Sequence, residues 1–155
     1  MSQTQAPLSL YDQDILLWSE DTAAKLRAKD FEHLDLEHLI EEVEALGISQ
    51  KKELLSRLTV LLEHLLKRCY VNLPENFNGW EITIRHQRTE LEILLGFAPS
   101  LKSRCPESFN QAWRIALKNV RQGYPQVNFP NEWPFNRSVE SLLNNDVWLN
   151  ENTEK

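Results

Sequence analysis

"LLSRLTVLLEHLLKRCY", Leu54 to Tyr70, decides the fold. Leu54, Leu55, Leu58, Leu61, Leu62, Leu65 and Leu66 recur at three- and four-residue steps. That spacing lines one face of an α-helix, whereas a half-buried strand alternates every second residue. Ser49 stands in position to cap the segment, so the pattern predicts a helix from there to about Tyr70. A leucine stripe this dense must be covered by other elements, and the flanking sequence offers more helices to cover it.

Upstream lies "DLEHLIEEVEALG", Asp35 to Gly47. Its Leu36, Leu39, Ile40, Val43 and Leu46 fall in one arc of roughly 120°, at about 100° per residue. Asp35 is the expected N-cap and Gly47 the expected C′ residue that closes the helix. Before it, Ile15, Trp18, Thr22 and Leu26 outline a first helix from Tyr11, with Ser9 or Asp12 to cap it.

Downstream, the Pro- and Asn-rich stretch Val71 to Gly79 reads as a loop. Trp80, Ile84, Leu91, Leu94 and Leu95 then sketch a helix ending at Gly96. Another begins after Pro99 and restarts at Pro106, which lacks a backbone donor; it runs to about Gln122 with Phe109, Trp113, Ala116, Leu117 and Val120 as its apolar face. "GYPQVNFPNEWPFN", Gly123 to Asn136, is expected to run extended with Trp133 and Phe135 as anchors. A short last helix follows Ser138, and Trp148 pins the end.

The expected fold is therefore all-α: a single-domain antiparallel helical bundle of about five main helices with an extended Pro/Trp-containing C-terminal segment. Residues 1–9 are expected to be a flexible arm, 10–149 the bundle and 150–155 a disordered tail. A length of 155 residues suits one domain, and 41% hydrophobic with 26% charged residues are globular proportions. Cys69 and Cys105 cannot build a disulfide framework and no signal segment is evident, so the expected setting is cytoplasmic. No apolar run approaches the roughly 20 residues of a membrane span.

Charge is uneven. Met1 to Gln50 carries eleven Asp and Glu against Lys25, Arg27 and Lys29, a net of −8 out of a total of −6. Lys51 to Arg121 holds twelve Lys and Arg against seven Glu. The two parts either face each other in one fold or mark a partner surface. Pairing of Glu41 or Glu42 with Arg85 or Arg88, three apart on one helix, would express the first case.

Candidate chemistry centres on Glu41, Glu42, His64, Arg85 and Arg88. Glu41 lies opposite the apolar arc and Glu42 and Glu44 at its borders, as on a solvated face. Arg57, His64 and Arg68 share one flank of the leucine-rich helix. No Glu-x-x-His, His-Glu-x-x-His or Cys-x-x-Cys occurs, and Asp35, three before His38, is engaged as a cap, so no metal is expected. Neither a nucleophile elbow nor a glycine-rich phosphate loop is present, and no cofactor is expected. Nucleic acid is disfavoured because the basic residues are spread over three helices and the sequence pI is about 5.3.

Taken together, "YDQDILLW" (Tyr11–Trp18), "DLEHLIEEVEALG", "SRLTVLLEHLLKRCY" (Ser56–Tyr70), "GWEITIRHQR" (Gly79–Arg88), "PSL" (Pro99–Leu101) and "WPFNRSVESLLNNDVWL" (Trp133–Leu149) resemble the bacterial domain of unknown function 29 family, which is abundant in cyanobacteria. The similarity covers about Leu10 to Leu149 and includes Asp35, Glu41, Glu42, Gly47, His64, Lys67, Trp80, Arg85 and Arg88. Pro106 and Arg68-Cys69 depart from the pattern. The resemblance implies an all-helical cytoplasmic protein. The function expected is a non-catalytic interaction or assembly module, working through a helix face or the Trp-rich tail on a protein partner or a second copy. Two alternatives are a hydrolase or metal-dependent enzyme using the Glu/His/Arg cluster, and a nucleic-acid-associated protein presenting Arg57, Arg68, Arg85, Arg114 and Arg121.

Overall fold

A computed structural model describes residues 7–150. Among the described residues seven helices follow one another: α1 (Leu10–Gln13), α2 (Ile15–Arg27), α3 (Leu36–Tyr70), α4 (Pro74–Phe97), α5 (Cys105–Gly123), α6 (Val139–Asn144) and α7 (Val147–Asn150). Short 3-10 turns stand at Phe31–His33 and Pro99–Arg104, and no strand occurs among the described residues. The all-α expectation holds. Residues 1–6 of the expected arm and 151–155 of the expected tail lie outside the described residues. Contacts divide the chain into two units, Met1–Ile48 and Ser49–Lys155.

In the second unit the leucine stripe of α3 forms the core as expected. Leu54, Leu61, Leu62 and Leu66 have no exposed surface and pack in one cluster with Ile84 and Leu91 of α4 and Phe109, Ala116 and Val120 of α5. Each fully buried leucine contributes about 1.5–3 kcal/mol relative to an exposed one. Pro106 sits in the first turn of α5, where its missing N–H costs nothing. The C-terminal segment lies on this core through Phe129, Trp133, Phe135, Leu142, Val147 and Trp148.

Three local readings are corrected. First, Gly47 does not end a helix and Ser49 does not start one: α3 runs unbroken for 35 residues. No glycine adopts a positive φ, so the left-handed C′ geometry is missing at Gly47 and at Gly96, which lies inside α4. The physical reason lies in phase. Leu36, Ile40 and Val43 repeat as Leu54, Leu58 and Leu61, eighteen residues later. Eighteen residues are about five whole turns, so the aliphatic pattern keeps helical period across Gly47 and the sequence supplies no phase change that would call for a break.

Second, only Val71–Leu73 is non-helical in the expected loop, because Pro74 opens α4 at a position that tolerates proline. Third, the first helix is split at Asp14. Its backbone is extended and its side chain accepts from the N–H groups of Leu16 and Leu17, so it caps α2 while Ser9 caps α1. Beyond the Ala28 cap of α2, Lys29 takes φ 57°, a left-handed position held by the Asp30 N–H donating to Lys25 O.

A buried arginine closes the second unit. Arg88 is 8% exposed, and its guanidinium donates to Leu142 O at 2.9 Å, Asn145 O at 2.5 Å and Asp146 Oδ1 at 2.7 Å. Two of these acceptors are carbonyls at the end of α6, where the helix dipole favours a cation.

Two outcomes follow from this architecture. Gly47→Ala should stabilise the chain by about 0.5–1 kcal/mol in urea unfolding followed by circular dichroism, since an added Cβ meets no atom within 4 Å and the backbone is helical. A loss of similar size would mean that the helix breaks there. Arg88→Met should cost at least about 1 kcal/mol by stranding the buried Leu142 carbonyl, whereas Asp146→Asn should cost under about 1 kcal/mol because that carboxylate is 44% exposed.

Candidate functional site

The first unit has little core. Among its described residues only Trp18 and Thr22 are buried. A polar and aromatic clamp binds its helices instead. Tyr11 of α1 stacks on His38 of α3 with ring centroids 4.0 Å apart and planes at 11°, and meets Trp18 of α2 edge-on at 5.1 Å. The Tyr11 hydroxyl donates to Glu42 Oε1 at 2.5 Å. Asp35 Oδ2 accepts from His38 Nδ1 at 2.6 Å and from the Trp18 indole at 3.2 Å, while Oδ1 caps α3 through a long 3.5 Å bond from the His38 N–H.

The clamp shifts the groups that form it. The Glu42 carboxylate, aided by desolvation, pushes the Tyr11 phenol up to about 12. The hydrogen bond between Asp35 and His38 holds the carboxyl below its ordinary range and, against desolvation, raises the imidazole above its own.

The clamp also decides what α3 leaves uncovered. At about 100° per residue, Asp35, His38 and Glu42 occupy one flank of the helix, and Leu36, Ile40, Val43 and Leu46 occupy the next. Those four are 58%, 48%, 64% and 65% exposed, although they continue the stripe that is fully buried further along the same helix. Every residue from Val43 to Ser49 is exposed. This aliphatic face is the candidate functional surface.

Three of the five residues singled out from sequence, Glu42, His64 and Arg88, bind groups within their own units. Glu41 is exposed. Glu42 belongs to the Tyr11 clamp. Within the second unit, His64 Nδ1 donates to Val60 O of its own helix at 2.8 Å, and burial lowers its pKa. Arg85 is exposed, whereas Arg88 is bound to the C-terminal segment. Within the first unit Glu42 accepts from Tyr11, and within the second Arg88 pairs with Asp146. Sequence reasoning missed the roles of Tyr11, Trp18 and His38; the three-residue step from Asp35 to His38 was the available signal.

Other polar groups in the second unit are internally engaged. Arg57 lies 3.7 Å from Glu53 and 3.6 Å from Glu90, and Arg68 lies 3.2 Å from Glu81 with its guanidinium 3.8 Å above the Phe77 ring. An open cleft of about 410 Å³ is floored by Trp113 and Trp133, whose indole N–H groups donate to Asn131 O and Asn136 O. Cys105 is a buried thiol donating to Leu101 O, and burial raises its pKa. Among the described residues, no three His, Cys, Asp or Glu side chains are grouped to hold a metal ion, and no helix is long and apolar enough to cross a membrane.

Fold and surface together define an all-α helical protein with an uncovered aliphatic helix face. The chain belongs to the family described as Domain of unknown function DUF29, whose model matches residues 10–148. No match was found among curated proteins or among solved structures.

The clamp makes the first unit pH-sensitive. With its folded pKa raised, His38 contributes stability that is complete below its ordinary 6.5 and lost as pH rises through the raised value. With its folded pKa lowered, Asp35 contributes stability that is complete above its ordinary 3.8 and lost as pH falls through the lowered value. Ring-proton shifts reporting the Tyr11–Trp18 edge contact should be strongest between about pH 4 and 6.5, and His38→Gln should remove the alkaline limb. A His38 resonance titrating at or below 6.5 would rule out the ion-paired form.

Proposed function

We propose that the chain is a non-catalytic interaction module of the cytoplasm that docks a protein partner on the aliphatic face of α3. One observation carries this reading: the side-chain pattern that builds the core of the second unit recurs, in phase, on a stretch of the same helix where its members are about half or more exposed. An apolar stripe left in water forgoes about 25 cal/mol for each Å² that a partner would cover, and contiguous exposed aliphatic faces mark interaction sites.

Of the two surfaces suggested by sequence, the helix face is favoured, because Trp133, Phe135 and Trp148 pack on the core of their own unit. The enzyme and nucleic-acid alternatives draw less support, since His64, Arg57, Arg68 and Arg88 already bind protein groups.

Site-specific photo-crosslinking in the native cells tests the reading. A photoreactive residue at Val43 should give a discrete adduct of higher mass, and one at Glu41, on the opposite side of α3, should give at least tenfold less. Equal yields from the two positions, or none from either, would remove the docking face.

A further inference from the structure

We infer that the occupant of the α3 face is a cationic amphipathic α-helix of a partner protein, an inference that rests on the docking reading above. The apolar positions Leu36, Ile40, Val43 and Leu46 follow steps of four, three and three. These steps form a ridge about three turns long, which suits another helix laid along it. The same pattern in the second unit packs in one core with two helices, α4 and α5.

Charge identifies the flanks of the partner. Glu37 and Glu44 border one side of the stripe and Glu42 the other, and no Lys or Arg stands between Leu36 and Gln50. The unit as a whole holds eleven carboxylates against three cations up to Gln50. A second copy docking by the same face would bring these carboxylates together without counter-charges, because a two-fold interface sets like against like. An anionic lipid surface meets the same repulsion. A helix with aliphatic residues on one face and Lys or Arg beside them satisfies both the stripe and its rim. His38 faces Tyr11 and Asp35 across the clamp and leaves that rim acidic.

The test uses the full chain and two fluorescein-labelled 18-residue peptides, one of Leu and Lys with leucines at helical three- and four-residue steps, the other with Glu replacing every Lys. Anisotropy titration should show the Lys peptide binding at least tenfold more tightly than the Glu peptide, with affinity falling several-fold between 50 and 300 mM NaCl. Ile40→Ser with Val43→Ser should weaken it at least tenfold, and Glu37→Gln with Glu44→Gln several-fold at low salt only. The substituted residues are exposed, so circular dichroism should match the parent.

Equal binding of both peptides, lost in the Ser variant, would keep the docking face and overturn the cationic partner. Binding of neither peptide, or binding untouched by the Ser variant, would overturn both. Concentration-dependent dimerisation in sedimentation, abolished by the Ser variant, would assign the face to a second copy and overturn the inference.

Discussion

The helical period of the aliphatic residues in α3 underlies both units, each on its own side of Ile48. An α-helix returns to the same direction after about five turns and eighteen residues, and the aliphatic residues of α3 observe that repeat. The chain thereby commits one face to two environments. Past Ser49 the face is dry and supplies the largest share of the leucines in the second unit; before Gly47 the same face meets water.

The first unit is held in a different way from the second. With only two of its described residues buried, it has little hydrophobic burial to oppose the entropy of ordering its chain. Stacking of Tyr11 on His38, a shared Asp35 oxygen and the phenol bond to Glu42 take over that task. Such contacts are directional, so they fix which flank of α3 is covered and leave the aliphatic flank open. Units of this kind occupy the low end of a protein's local stability, the end from which binding elements are drawn.

How much of this could be read beforehand varied with distance along the chain. Periodicity exposed the helices, the core leucines, the restart at Pro106 and the cap at Ser138, because each depends on neighbours within a turn or two. Gly47 misled because glycine closes many helices yet is also tolerated inside one, and only the tertiary setting separates the cases. Pro74 misled likewise, since a proline both ends loops and begins helices. The clamp was hidden because Tyr11 meets Glu42 across 31 residues, and the partners of Arg88 lie 54 to 58 residues away. Periodicity also marks an apolar face without saying whether anything covers it, so the exposed part of α3 looked like ordinary core.

The hold of Arg88 on residues 142–146 bears on synthesis. Helices α3, α4 and α5 can form as they leave the ribosome, but the guanidinium in α4 stays unmatched until the carbonyls of Leu142 and Asn145 have been made. Closure of the second unit around Arg88 therefore waits until residues 142–146 have been translated, and a nascent chain stalled short of them keeps a charged group at a seam meant to be sealed.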